Sequence, residues 1–183
     1  MDIIAYSLWR RLDTPGHDAA FLTTLASGFR LSGQAVFAGV EGPVALSYEL
    51  GLDAAWRPHY GAVQGHIGAD PVDWRIERRE DDWYDGETPL GFPQLIDLDF
   101  GFTPATNFSQ IHRFGLKQGE EIDVTVLWFD PETHALRDLP QYYRRSGPET
   151  YDYRSPDGEY AAPLYLQPNG FIRTYPGLWE SEN

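Results

Sequence analysis

From Val44 to Leu52, Val44, Leu46, Tyr48, Leu50 and Leu52 alternate with Ala45, Ser47, Glu49 and Gly51. Successive side chains on a strand point to opposite faces, so this period of two specifies a sheet with one buried and one wetter face. The pattern recurs in Val63, Gly65 and Ile67. It recurs in Val72, Trp74 and Ile76, set against Asp73, Arg75 and Glu77, and in Ile122, Val124, Val126 and Trp128, set against Glu121, Asp123 and Thr125. Turn signals separate these runs: Glu41-Gly42-Pro43, residues 68–71, and Asp85-Gly86, which follows Trp83-Tyr84 as a hairpin tip. Further strands are expected over residues 4–12, 95–102, 136–145, 150–154, 160–167 and 171–175, with Asn169-Gly170 turning into the last of them. About ten or more short strands predict a mainly antiparallel barrel or strongly curved sheet.

Two segments read as short helices. Thr14 caps and Pro15 takes the first helical position of a segment over residues 15–27, with Asp18 in its first turn. Phe21, Leu22 and Leu25 give it an apolar stripe, and Gly28 stops it. Thr103-Pro104 repeats the device and opens a helix over residues 104–114, with Phe108 and Ile111 apolar and Gly115 at its end. With 183 residues and no linker or repeat, the chain reads as one domain spanning residues 1–183.

The formal net charge is −14, a surface that repels nucleic-acid phosphates and anionic headgroups. There is no cysteine, which excludes disulfides, thiolate metal sites and cysteine nucleophiles. The segment Met1-Asp2-Ile3-Ile4 carries an acid where a signal peptide carries its basic region, and no apolar run approaches the length of a membrane span. A cytoplasmic location is expected.

Chemistry-bearing motifs are few. His17, His59, His66, His112 and His134 form no ligand spacing, so neither a metal nor a cofactor is expected. No serine has a nucleophile-elbow context, and no glycine pattern suits a nucleotide. Asp97 and Asp99 are the most suggestive pair. At i and i+2 on a strand they share one face, opposite Ile96, Leu98, Phe100 and Phe102, with Cα atoms roughly 6.5–7 Å apart. Such a pair fits a solvated face, polar contacts to a ligand, or a general acid and base. Thr103 and Asn107 lie close enough in sequence to join the cluster. If the acids serve structure, they accept hydrogen bonds from Thr103, Thr106, Asn107 or an arginine, and those bonds keep them ionised. The aromatics are the other resource. Trp9, Trp56, Trp74 and Trp128 sit in or beside expected strands, and Arg10 and Arg57 adjoin two of them. Aromatic faces cover sugar C–H surfaces and acyl chains, whereas an arginine among aromatics pairs with an anionic group or a neighbouring acid.

Four stretches carry a family resemblance. They are Leu8-Trp9-Arg10-Arg11-Leu12-Asp13-Thr14-Pro15-Gly16-His17-Asp18-Ala19-Ala20, Asp53-Ala54-Ala55-Trp56-Arg57, Asp97-Leu98-Asp99-Phe100-Gly101-Phe102-Thr103-Pro104-Ala105-Thr106-Asn107, and Tyr175-Pro176-Gly177-Leu178-Trp179-Glu180. In that order they resemble a family of bacterial proteins proposed to bind glycolipids and long carried as a domain of unknown function. The resemblance implies a split or incompletely closed β-barrel, similar to the periplasmic carriers of lipoproteins, with a hydrophobic cavity and no agreed catalytic residues. Many members place a cysteine just before the Asp-x-Asp strand, where this chain has Gln94-Leu95-Ile96. The resulting expectation is non-covalent binding of an amphipathic small molecule such as a glycolipid in an aromatic-lined cavity. Its candidate contacts are Trp9, Arg10, Trp56, Arg57, Trp74, Asp97, Asp99, Thr103, Asn107 and Trp128. The alternatives are an enzyme using Asp97 and Asp99 on a glycosylated or acyl substrate, and a protein-interaction module without a ligand.

Overall fold

Alternation decides the architecture from the first strand onward. In a computed structural model, which describes residues 1–131, 133–155 and 160–182, Ala5, Ser7 and Trp9 point inward and their neighbours outward. The first half of the chain is a meander of β1 (Ile3–Arg11), β2 (Gly16–Leu25), β3 (Gly28–Gly39), β4 (Gly42–Leu52), β5 (Pro58–Ile67), β6 (Asp70–Arg79), β7 (Asp82–Asp85) and β8 (Thr88–Pro89). β9 (Leu98–Phe100) and helix α1 (Asn107–Phe114) follow. The second half is β10 (Glu121–Asp130), β11 (Ala135–Gly147), β12 (Thr150–Ser155), β13 (Tyr160–Leu166), β14 (Ile172–Tyr175) and β15 (Trp179–Ser181). All belong to one sheet, in the order β8 back to β1, then β15 back to β9. The two halves join where β15 pairs with β1, Arg11 opposite Trp179.

The sheet curls without closing, as a split barrel does. No ladder joins its edges β8 and β9; the segment over residues 90–97 spans the gap instead. On one side the Gln94 N–H donates to Asp81 O, and the Trp83 indole donates to Leu95 O at 2.9 Å. On the other the Leu127 N–H donates to Asp97 O. β9 pairs with β10 in parallel, with α1 as the crossover, while every other ladder among the described residues is antiparallel. One face of β9 packs on the concave side of the first half. Leu98 and Phe100 press on Gly61 of β5, where a Cβ would lie 2.2 Å from the Leu98 side chain, so any larger residue would have to displace it. Phe100 also meets Tyr48 and Trp74 edge-on. Inside the curl α1 is a plug, with Asn107 through Ile111 all buried.

One expected helix is absent: residues 16–25 form β2, and α1 is the one α-helix among the described residues. Asp18, Ala20 and Leu22 face inward while His17, Ala19 and Phe21 face outward, so Phe21 and Leu22 lie on opposite faces. Ladders to β1 and β3 on both sides override the local helix signal. Thr14 does not cap; its hydroxyl donates to Ala38 O at 2.7 Å, and Pro15 O accepts from the Ala38 N–H. The second expected helix survives in shortened form over Asn107–Phe114. The Thr103 hydroxyl accepts from the Ala105 N–H just ahead of it, and left-handed Gly115 ends it.

Candidate functional site

The two faces of β9 separate its side chains by chemistry. Leu98 and Phe100 turn to the first half of the sheet, while Asp99 lies beside its ladder partner Trp128 on the opposite face. There Asp99 accepts hydrogen bonds from the Thr106 hydroxyl at 2.6 Å and from Gln141 Nε2 at 2.7 Å. Next to it the Tyr143 hydroxyl donates to Gln110 Oε1 at 2.5 Å and accepts from Asn107 Nδ2 at 2.7 Å. The loop and helix that follow β9 therefore fold back to satisfy the acid that precedes them. Burial pushes the Asp99 carboxyl above the ordinary aspartate range; its hydrogen bonds oppose the rise and the charge of Asp97 adds to it.

Asp97 is held differently. Arg113, in the last turn of α1, donates to both of its oxygens at 2.7 and 2.5 Å. Burial again raises its carboxyl, against the pull of the Arg113 charge. The hydrogen-bond partners are of the expected kind, but desolvation outweighs them. The expectation that such bonds alone would hold both acids low is corrected accordingly.

A third buried acid comes from β2. Asp18 accepts from the Tyr48 hydroxyl at 3.0 Å and from the Thr103 hydroxyl, with no cation beside it. Burial drives its pKa to about 7.

Above Asp99 opens a cavity of about 420 Å³. Asp99, Thr103 and Asn107 supply polar groups to its lining, and Trp128, Tyr153, Tyr160, Tyr175 and Trp179 supply aromatic ones. Arg11 and Arg137 complete it; Arg137 lies 4.5 Å from the centre of the Trp128 ring and pairs with Asp130 at 3.1 Å. Burial holds the Tyr153 and Tyr175 hydroxyls well above the usual phenol range and Tyr160 at about 12, so all three keep their protons at neutral pH. The cavity thus combines flat apolar faces with one amide, several hydroxyls, the buried Asp99, and two arginines already paired with acids, Arg137 with Asp130 and Arg11 with Asp13. That set suits a neutral, hydroxyl-rich molecule with C–H faces.

Of the residues expected at the site, Asp99, Thr103, Asn107 and Trp128 line this cavity. The others do not. Trp9 is fully buried, its indole donating to Ile172 O at 2.7 Å and its ring edge-on to Phe171. Trp9→Phe should therefore cost about 2 kcal/mol through the lost donor and volume. Urea unfolding of wild type and variant checks it. Arg10 faces outward and pairs with Glu182 at 3.3 Å. Trp56 and Arg57 belong to the β4–β5 connection, where Asp53 Oδ1 accepts from the Ala55 and Arg57 N–H groups. Trp56 takes a left-handed φ of 63° and stacks on Phe29 at 4.0 Å. Trp74 packs against Phe129 behind β9, and Asp97 is turned to Arg113. Asp97 and Asp99 therefore do not face one cavity together, as a paired acid and base on one substrate would require.

Sequence reasoning missed Arg11, Tyr153, Tyr160, Tyr175 and Trp179. Arg11, Tyr175 and Trp179 lie in stretches that carry the family resemblance, and that was the available signal. Tyr153 and Tyr160 carry none beyond strand alternation. Among the described residues, no group of three or more histidines and acids is placed to hold a metal ion. No helix among them is long and apolar enough to cross a membrane.

Residues 7–181 match the family model described as "Putative glycolipid-binding". The chain belongs to this family. A solved structure of a DUF1089 family protein from Pseudomonas aeruginosa superposes with a TM-score of 0.78 at 24% identity, covering 89% of this chain and 91% of that one. At that identity the likeness shows the fold. No curated protein matches the chain.

Proposed function

We propose that the protein binds an amphipathic, glycosylated small molecule non-covalently, with the sugar in the cavity over Asp99. The supporting observation is the pairing of an aromatic wall with a buried polar floor. Trp128, Tyr160 and Trp179 offer ring faces for sugar C–H surfaces, while Asp99 and Asn107 offer an acceptor and an amide to hydroxyl groups. The family's description points to the same ligand class.

Mass spectrometry of the native protein, purified from its own host without detergent, should detect a retained glycolipid. In a calorimetric titration with that ligand, Trp128→Ala should raise Kd at least about tenfold, since removing a stacked ring costs on the order of 1.4 kcal/mol or more. Asp99→Asn should weaken binding while leaving the fold intact. A ligand that binds equally well to wild type and Trp128→Ala would remove the cavity from the proposal. A protein that retains and binds no glycosylated molecule would end it.

A further inference from the structure

Beside the aromatic cavity lies a second one of about 520 Å³, and the two share Arg11 and Pro131. Its character is different. Phe37 of β3, Val44 of β4 and Ile67 of β5 are buried in its walls, and Val40, in the turn between β3 and β4, lies at its edge. Val40 is 97% exposed. A valine so placed gains nothing from folding, because burial of apolar surface is what stabilises.

Arg11 spans the boundary. Its guanidinium lies 4.2 Å from the centre of the Phe37 ring, in the second cavity, and 5.3 Å from that of Trp179, in the first. Asp13 accepts from its Nε and Nη2 at 2.7 and 2.9 Å, which neutralises the charge. The remaining nitrogen, Nη1, is buried and has no hydrogen-bond partner among the described residues. A buried donor without an acceptor is costly, and a neutral oxygen at the junction would relieve it. An anionic linker has less to gain here, because Asp13 already balances the guanidinium.

We propose that the second cavity takes the alkyl chain of the same ligand, so that one uncharged glycolipid spans both cavities with its linking oxygen beside Arg11. This rests on the sugar site proposed above and adds a tail site and a neutral linkage to it. Polar cavity, uncommitted donor and apolar cleft follow one another in the order headgroup, linker and chain of a simple alkyl glycoside or glycosyl ester.

The experiment uses the full chain and alkyl glycosides of glucose, galactose and mannose, with methyl to decyl chains, titrated below their micelle concentrations. Aliphatic alcohols of the same lengths supply the chain without the sugar. Affinity should rise about fourfold per methylene, the value of a buried CH₂ group, until the cleft is filled. Val40→Asp changes an exposed turn residue and should leave folding untouched. It should flatten the chain-length dependence while methyl glycosides bind as before. Methyl glycosides that bind, with no gain on lengthening the chain or with an equal gain in Val40→Asp, would overturn the tail site and leave the sugar site standing. Alcohols that bind wild type but not Val40→Asp, with methyl glycosides silent, would support the cleft and sink the sugar site. Binding by neither series would overturn both.

Discussion

Asp18→Asn should make the protein more stable at pH 8, by up to about 4 kcal/mol, and should flatten its dependence on pH. Asp18 is fully buried, faces the Tyr48 and Thr103 hydroxyls, and has a pKa of about 7 against an ordinary 3.8. The folded chain therefore holds this proton to a higher pH than the unfolded chain does. Below about pH 4 both states are protonated and the group has no effect. Between about pH 4 and 7 the unfolded chain ionises first, so each rise in pH favours unfolding. Above about 7 the penalty is complete, on the order of 4 kcal/mol. Asparagine keeps the shape and one acceptor and removes the titration. Urea unfolding of both proteins at pH 4, 6 and 8 should show the difference in stability growing with pH. Parallel curves would mean that Asp18 is already ionised in the native state. Tyr48→Phe deletes a donor to the carboxylate and should push the transition further up.

Asp18 also shows where the sequence was misleading. Thr14-Pro15, an early acid and Phe21, Leu22 and Leu25 at helical spacing are sound helix signals in an isolated peptide. The strand pattern lay beneath them in disguise. The inward set is Asp18, Ala20 and Leu22 and the outward set holds His17, Ala19 and Phe21, so hydrophobicity does not report the face. An acid on the inner face reads as solvent-facing until Tyr48, thirty residues away, is seen to donate to it. Where inward positions are apolar, as in Val44, Leu46, Tyr48, Leu50 and Leu52, alternation alone located the strand and its buried face.

The candidate site was legible in its floor and not in its wall. Asp99, Thr103 and Asn107 lie within nine residues on a strand, a turn and a helix, so local spacing was enough to group them. The wall draws on β10, β12, β13, β14 and β15, whose convergence depends on the ladder between β15 and β1 and on the curl of the whole sheet. Trp9 and Trp56 could not be told from Trp128 by sequence, because all three flank strands. Only the packing of Phe171 on Trp9 and of Phe29 on Trp56 separates core rings from a cavity ring. Asp97 was grouped with Asp99 for the right local reason. What sequence could not supply was the cation, Arg113, which lies across the crossover on α1.

Arg113→Leu should destabilise the protein by about 3–5 kcal/mol at neutral pH, the usual cost of stranding one partner of a buried ion pair. The Asp97 side chain is 1% exposed and Arg113 holds both of its oxygens. Burial already raises the Asp97 carboxyl, and Arg113 is the chief influence opposing the rise. Without Arg113 the folded-state pKa climbs further, so the variant's deficit should be complete above that raised pKa, where the folded carboxyl is forced to ionise, and should shrink as the pH falls below it toward about 4, where the unfolded carboxyl is protonated as well. Asp97→Asn in the Arg113→Leu background removes the stranded charge and should recover much of the loss at pH 8. The double-mutant cycle isolates the coupling from the packing that Arg113 makes over Phe114. The effect should also reach the cavity. The Asp97 carbonyl accepts from the Leu127 N–H at the start of the β9–β10 pairing, and that pairing sets Asp99 beside Trp128. The glycoside binding proposed above should therefore weaken in Arg113→Leu and return in the double variant. A single variant as stable at pH 8 as at pH 4, or one restored in stability but not in binding, would separate the ion pair from the site it is argued to position.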